Sequence, residues 1–195
     1  MINEIIHINL TVNERGECRM FPLVETERLN LRRIEKEDAE DIFRCFSNSD
    51  VTRYYGQESF TSFEQAEQII EMFNHNFKER RGIRWGMELK DQKGIIGSIG
   101  FNAWVPKYKR AEIGYELHPD FWRKGYASEA VKAVVDYGFN HLDLNRIGAV
   151  VFLDNTASND LLIKLGFEKE GVLRNYIYQN GISYDTNVYS LVKNH

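Results

Sequence analysis

The stretch FWRKGYASEA, residues 121–130, combines residue types that bind phosphate. Arg123, Lys124 and Gly125 stand directly before a segment with the apolar spacing of a helix. Glycine adopts backbone angles that side chains disfavour and lets a ligand approach the main chain closely. A helix that begins there directs unpaired N–H groups and the positive end of its dipole outward. The pattern predicts a phosphate or diphosphate site, and two solvated cations before an ordinary helix are the alternative.

Other reactive-site patterns are absent from the sequence. Neither GxxxxGK[ST] nor GxGxxG occurs, so nucleotide hydrolysis and hydride transfer lack their usual support. The five histidines form no HExxH or comparable spacing, which predicts no metal cofactor. Cys18 and Cys45 belong to no CxxC pattern and are typical of free thiols in a reducing compartment.

Composition and charge restrict the partners. A net charge of -4 argues against general nucleic-acid binding, despite local basic clusters at 78–81 and 107–110. No apolar run approaches the roughly 18 residues of a membrane span, and the N-terminus lacks a secretory signature. We therefore expect a cytoplasmic protein that binds neither membrane nor nucleic acid.

The phosphate-binding pattern lies between two predicted strands, RAEIGYELH (110–118) and RIGAVVFL (146–153). A strand–helix–strand crossover makes these strands parallel, and Pro119 ends the first. Open α/β sheets bind ligands at the carboxyl ends of parallel strands. If the two strands splay beyond Pro119, their freed backbone groups could hold an extended ligand.

The remaining elements complete an α/β domain. A strand (26–34), two amphipathic helices and a hairpin precede residue 110. The second helix opens with a capping-box pattern at Ser62 and Gln65, and its predicted buried face consists of Ala66, Ile69, Ile70, Phe73 and Phe77. A short helix (155–167) and an Asn180-Gly181 hairpin follow residue 153. The order β-α-α-β-β-β-α-β-α-β-β predicts a twisted, mixed and mainly antiparallel sheet, with a central parallel splayed strand pair and flanking helices. We expect residues 1–22 to form an extension, either an extra strand or hairpin or a loosely held segment, and 23–195 to form one domain.

The motifs, taken in their order along the chain, resemble those of a known family. WRKGYASEA after EIGYELHP, followed by NTASNDLLIKLGF, resembles the GNAT superfamily of acetyl-CoA-dependent N-acetyltransferases. TERLNLR, AEIGYEL and EGVLRNYIYQNG resemble its ribosomal-protein-alanine N-acetyltransferase branch. The resemblance covers roughly residues 23–192. It implies that an amine attacks the thioester of acetyl-CoA directly, with acetyl-CoA as co-substrate and no metal.

The resemblance also implies a coenzyme A site. The family loop, Gln/Arg-x-x-Gly-x-Gly/Ala, aligns with residues 122–127, where tryptophan departs from the first position. Asn155 matches the family's pantetheine-contacting asparagine, and its alternative role is a helix N-cap. The implied cofactor-binding residues are Leu117, Trp122, Arg123, Lys124, Gly125, Tyr126, Ala127, Ser128 and Asn155.

The implied catalytic residues depart from the family pattern. Leu162 stands where many members have a tyrosine that protonates the thiolate, so Ser158 is the candidate hydroxyl, or else an ordinary helix residue. Val150 stands where some relatives have an acid. Glu112 is therefore the candidate base and Glu116 the reserve, and a solvated strand carboxylate is the alternative for both.

The acceptor is left open between a protein α-amino group, such as that of a ribosomal protein, and a polyamine or aminoglycoside. The candidate wall residues, a pool in which most members are expected to be core, are Tyr54, Tyr55, Trp85, Phe101, Trp104, Tyr176 and Tyr178. Two other hypotheses for the function are a non-catalytic acetyl-CoA sensor or scaffold and an unrelated domain that binds a phosphate ligand. The hairpin edges at 170–192 make a homodimer conceivable.

Overall fold

The computed structural model describes residues 7–12 and 18–193, with side chains from residue 21 onward. In this part of the chain nine strands form one sheet in the order β1-β2-β3-β4-β5-β6-β7-β9-β8. The strands are β1 His7–Val12, β2 Cys18–Glu25, β3 Leu29–Arg33, β4 Ile83–Leu89, β5 Ile95–Val105, β6 Arg110–Leu117, β7 Arg146–Phe152, β8 Glu168–Gln179 and β9 Ile182–Val192. All neighbours pair antiparallel except β6 and β7, which are parallel. The predicted fold class is confirmed.

Helices cover both faces of this sheet. They are α1 Ala39–Phe46, α2 Ser49–Thr52, α3 Phe63–Lys78, α4 Tyr126–His141 and α5 Thr156–Lys164. One core joins α4 and α5 to odd-numbered sheet residues such as Trp85 and Ile113. A second core joins α1 and α3 to Ile34 and Ile95 on the opposite face. The face of a residue in β6 therefore decides which helices it meets.

Local patterns in the sequence explain α3 and the turn of the last hairpin. Ser62 and Gln65 make a reciprocal capping box at the start of α3. The apolar face predicted for α3 is buried in full, since Ala66, Ile69, Ile70, Phe73 and Phe77 are its buried residues. Asn180 and Gly181 both adopt positive φ angles, 51° and 78°, which a tight hairpin turn requires.

The predicted extension, residues 1–22, lies partly outside the described residues. Its described portion pairs β1 with β2 in an antiparallel ladder, from His7 opposite Leu23 to Val12 opposite Cys18. Because β2 runs from Cys18 to Glu25, it crosses the predicted boundary between residues 22 and 23.

At the other edge of the sheet, β8 exposes apolar side chains that include Val172 and Tyr176. The homodimer stays a prediction, which sedimentation of the purified protein would test. Among the described helices, none is both long and apolar enough to cross a bilayer. The described residues also contain no cluster of three or more potential metal ligands among His, Cys, Asp and Glu.

Candidate active site

The glycine-rich loop lies between β6 and α4, as the sequence predicted. Gly125 is the N-cap of α4 with φ 85°, and Arg123 also has a positive φ of 60°. No side chain of the described residues caps the helix, so the first-turn N–H groups, which lack intrahelical partners, remain available. Trp122, Arg123, Lys124 and Gly125 are exposed, and Tyr126, Ala127 and Ser128 are half-buried. The loop can thus present main-chain donors and two cations to an anion.

Arg28 is a third cation beside the loop, and sequence reasoning missed it. Its Nη1 donates to the carbonyl of Lys124 at 2.9 Å, and its guanidinium lies 4.6 Å from the centroid of the Tyr126 ring. Glu129, in the first turn of α4, accepts from Arg28 Nε at 2.7 Å and from Thr26 Oγ1 at 2.6 Å. The hydrogen bonds to Thr26 and Arg28 outweigh burial and lower the pKa of Glu129. No short-range pattern in the sequence links residue 28 to residue 124. The opposite charges of Arg28 and Glu129 could have suggested that these two residues pair.

The parallel strands β6 and β7 separate early. Their ladder has three registered pairs, and the last joins Glu112 to Gly148. Beyond it, β6 continues to Leu117 paired only with β5, while β7 continues to Phe152 paired only with β9. A gap therefore opens between the strands and leads to the glycine-rich loop.

The backbone of Leu117 faces this gap. His118 N–H donates to Ile96 O at 2.9 Å, so the alternating ladder directs the polar groups of Leu117 away from β5. The carbonyl of Leu117 already accepts from Trp122 Nε1 at 2.6 Å. Trp122 thereby ties the start of the loop to the end of β6, and the N–H of Leu117 is the group left for a ligand.

The first turn of α5 lies across the gap from β6. Asn155 caps this helix by accepting from Ser158 N–H through Oδ1 at 3.2 Å, as its alternative role predicted. Its side-chain nitrogen makes no hydrogen bond to the described residues. Asn159 then fixes the turn: its Nδ2 donates to Phe152 O and Asn155 O, and its Oδ1 accepts from side chains of β9. Asn155 and Ser158 are thus held in place with donor capacity to spare.

The two candidate catalytic groups lie on opposite faces of the sheet. Glu112 shares a face with Gly148, because a Cβ on that glycine would lie 3.5 Å from the Glu112 Cγ. Tyr115, three residues along β6, is on the other face and packs against the core of α4 and α5. The half-buried Ser158 interacts with the Tyr115 hydroxyl from α5. Alternation in EIGYEL could have revealed Tyr115, which sequence reasoning overlooked.

Glu116, the reserve base, is part of a buried ionic network. One carboxylate oxygen accepts from Arg84 Nη2 and the other from Ser98 Oγ. Arg84 also donates to Ser98 Oγ at 2.7 Å and to Tyr55 Oη at 3.2 Å. Burial raises the pKa of Glu116, and Arg84 opposes that rise. Because both carboxylate oxygens are occupied, Glu116 is poorly placed to accept a proton from a substrate.

The aromatic pool proposed for the acceptor wall divides between site and core. Tyr54 lies 5.8 Å from the Phe152 ring, which lies 5.2 Å from that of Tyr184, on the Glu112 side of the gap. Trp85 and Phe101, 0% and 1% exposed, belong to the core, as expected for most of the pool, because alternation directs them to the α4 side. The placement of the others is as follows: Tyr55 joins the Arg84 network, Trp104 packs against the main core, and Tyr176 and Tyr178 are exposed on β8.

Comparison with known proteins agrees with this architecture. Residues 28–168 match the acetyltransferase (GNAT) domain family. The uncharacterized N-acetyltransferase YoaA of Bacillus subtilis is 62% identical over 174 residues, which are 89% of this chain and 98% of YoaA.

Two solved structures are also similar. Spermidine N-acetyltransferase from Vibrio cholerae, in complex with CoA and spermine, has a TM-score of 0.75 and 25% identity over 84% of this chain and 95% of that one. An acetyltransferase from Salmonella typhimurium that modifies the N-terminal serine of ribosomal protein L7/L12 shares the fold, with a TM-score of 0.78 and 23% identity over 87% of this chain and 97% of that one. The chain therefore belongs to the GNAT family, and it is an acetyl-CoA-dependent N-acetyltransferase.

Proposed function

We propose that this enzyme acetylates a primary amine that enters from the Glu112 side of the β6–β7 gap, with coenzyme A held from the glycine-rich loop to α5. The observation that carries the proposal is the early separation of β6 and β7 after Glu112 and Gly148. It leaves one route between the strands, with anion-binding groups at one end and a carboxylate at the other.

The chain's own groups fit coenzyme A along this route. Main-chain N–H groups from Arg123 to Ser128 suit the diphosphate, and the side chains of Arg123 and Lys124 add charge. The N–H of Leu117, at the end of β6, and the side-chain nitrogen of Asn155, at the start of α5, suit the amide-bearing arm. Trp122 contributes through its bond to the Leu117 carbonyl.

Tyr126 and Ala127 complete the set through their main-chain N–H groups in the first turn of α4. Acetyl-CoA supplies an activated acetyl thioester to this arrangement. The residues of the chain position it and manage protons. Glu112 is the base that removes a proton from the attacking ammonium, since an α-amino group has a pKa near 8 and a lysine-like amine near 10.4. Ser158, on the other face, assists departure of the sulfur.

The acceptor that we propose first is the N-terminal α-amino group of a protein, including a ribosomal protein, because the sequence resembles that branch. A polyamine is the second candidate, and the similarity to a spermidine N-acetyltransferase favours it. Tyr54, Phe152 and Tyr184 form an aromatic cluster on the face of the sheet that carries Glu112, which suits a cationic amine of either kind.

The experiment is release of coenzyme A thiol from acetyl-CoA with a panel of short peptides, polyamines, amino acids and aminoglycosides. We expect release with peptides above the hydrolysis background. Release with polyamines alone would establish the second candidate. Coenzyme A binding without release on any amine would contradict both.

Glu112→Gln tests the base. We expect kcat at neutral pH to fall by roughly 100-fold, with the Kd for coenzyme A unchanged. Glu168→Gln, an exposed carboxylate on β8, is the matched control. An unchanged pH–rate profile in Glu112→Gln would remove Glu112 from the mechanism.

A further inference from the structure

The hydroxyl of Tyr115 is a buried polar group near the proposed active site, and no role has yet been assigned to it. Tyr115 belongs to the part of β6 beyond the last pair with β7, and it lies opposite Ile99 of β5. Its Oη is inaccessible to solvent and has no hydrogen bond of standard geometry among the described residues. Burying a hydroxyl without a partner is unfavourable. Five other buried side-chain atoms among the described residues also lack a partner, and the Tyr115 hydroxyl is the one that lies on β6 beyond its last pair with β7. A ligand in the gap could supply its partner.

Tyr115 reaches from one side of the gap to the other. It originates on β6, yet the Ser158 side chain in the first turn of α5 lies close enough to act on its titration. Burial raises the pKa of Tyr115, and the hydrogen-bonding contact with Ser158 partly offsets that rise. The contact does not meet the geometry of a hydrogen bond, so the phenol O–H stays available to a third group.

The position of Ser158 in this pair is fixed. Asn155 accepts its N–H, and Asn159, the next residue, is bonded to β7 and β9. Leu162, one turn further along α5, is fully buried in the core and offers no proton. Ser158 thus supplies a hydroxyl from α5, and the strand side adds the Tyr115 phenol. The two hydroxyls are held on a rigid frame.

We propose that Tyr115 is a catalytic residue that donates its phenolic proton to the sulfur leaving the acetyl group, with Ser158 orienting the phenol. This inference rests on the proposed function. The amine nitrogen forms a bond to the acetyl carbon, the carbon–sulfur bond breaks, and its electron pair leaves on sulfur. The proton on sulfur comes from Tyr115, and the proton lost by nitrogen goes to Glu112 on the opposite face. Tyr115 regains its proton through Ser158 and solvent, so the products are an amide and a thiol.

Burial of the thiol and the phenol favours this proton transfer. A free thiol has a pKa near 8.5 and a free phenol near 10. Both groups form anions that burial disfavours, so a sulfur anion formed in the gap is more basic than in water. Donation by a neutral phenol then relieves a buried charge at the moment it develops.

Tyr115→Phe is the first test, because it removes one oxygen and keeps the ring. We expect kcat with acetyl-CoA to fall by at least about 100-fold, and the Kd for coenzyme A and the melting temperature to hold, since no standard hydrogen bond is lost. Tyr108→Phe, at a tyrosine 64% exposed and outside the site, is the matched control. A Tyr115→Phe enzyme within about threefold of wild-type kcat would overturn the proposal.

A selenoester analogue of acetyl-CoA separates proton donation from a structural role. Its selenolate is a weaker base than the thiolate and leaves with less need of a proton. We expect the loss in Tyr115→Phe to shrink to under roughly tenfold with this substrate. An equal loss with both substrates would show that Tyr115 only shapes the site, and the proposal would fail.

A binding measurement gives a result without turnover. In ring-labelled protein the Tyr115 resonance, identified by its absence from Tyr115→Phe, should shift differently with coenzyme A and with desulfo-coenzyme A. Ser158→Ala should raise the pKa of Tyr115 further, because the contact that offsets burial is gone. Identical shifts with the two ligands would place the phenol away from the sulfur. Wild-type enzyme that releases no thiol with any amine would instead contradict the proposed function, so the two failures are distinct.

Discussion

Arg28 donates from Nη1 to the main-chain carbonyl of Lys124 at 2.9 Å, which ties the β2–β3 turn to the glycine-rich loop. The same guanidinium is paired with Glu129 at 2.6 Å and lies over the Tyr126 ring. Two segments about a hundred residues apart are thereby joined at the start of α4. The loop therefore has a tertiary contact that holds its conformation in addition to its own glycine.

Arg28→Ala should weaken coenzyme A binding. The substitution frees the Lys124 carbonyl and leaves the Glu129 carboxylate without its cation near the incoming diphosphate, so both order and charge are lost. We expect the Kd for coenzyme A to rise several-fold in calorimetry, with kcat at saturating acetyl-CoA little changed. Arg53→Ala, at an exposed arginine on the other side of the sheet, is the control. Equal affinities of Arg28→Ala and wild type would refute the role.

Gly125→Ala should disturb the loop itself. Gly125 has φ 85°, a left-handed conformation that is unfavourable by roughly 1–2 kcal/mol for a residue with a side chain. An added Cβ would also lie 3.2 Å from Arg28 Nη2. We expect a lower free energy of unfolding by about that amount and weaker coenzyme A binding. Gly171→Ala, where a Cβ meets nothing within 4 Å, should change neither quantity.

The sequence predicted those features that depend on neighbours along the chain. The capping box of Ser62 and Gln65 and the buried face of α3 follow from spacings of three and four residues. The Asn180-Gly181 turn follows from positive φ angles that these residue types tolerate. The strand–loop–helix unit at Gly125 was likewise predicted from residues that are neighbours along the chain. The four-residue helix α2 was missed because it is too short to show a period.

Features that join distant segments could not be predicted in this way. Arg84 and Glu116 are 32 residues apart, and nothing in either strand's pattern says that they meet. Glu112 and Glu116 have the same parity in β6, so alternation made them equivalent candidates. The structure distinguishes them because β7 leaves β6 after Glu112, while Glu116 meets Arg84 under α3.

Glu116→Gln should destabilise the fold. The substitution leaves Arg84, which is 4% exposed, with an unneutralised buried charge, and breaking such a pair costs about 3–5 kcal/mol. Replacing both partners, Arg84→Met with Glu116→Leu, should recover most of that loss in chemical denaturation, because no charge is left unpaired. If the double variant were as unstable as the sum of the single variants, the pair would not be coupled.

Glu170 should make stability depend on pH in acid. Arg146 donates to both of its carboxylate oxygens, and Ser190 donates at 2.7 Å. These bonds lower the pKa of Glu170 from its ordinary 4.5 to about 2. A carboxyl whose pKa is lower in the folded state stabilises the fold above the unfolded pKa, and this contribution disappears as pH falls through the folded one.

The difference in unfolding free energy between wild type and Glu170→Gln should therefore be constant near neutral pH and shrink between about pH 4.5 and 2. It should be small throughout, because the Glu170 side chain is 42% exposed and solvent screens the pair. Added salt should reduce it further, since exposed charges are screened. A difference that stays constant down to pH 2 would mean that Glu170 acts through packing rather than through its charge.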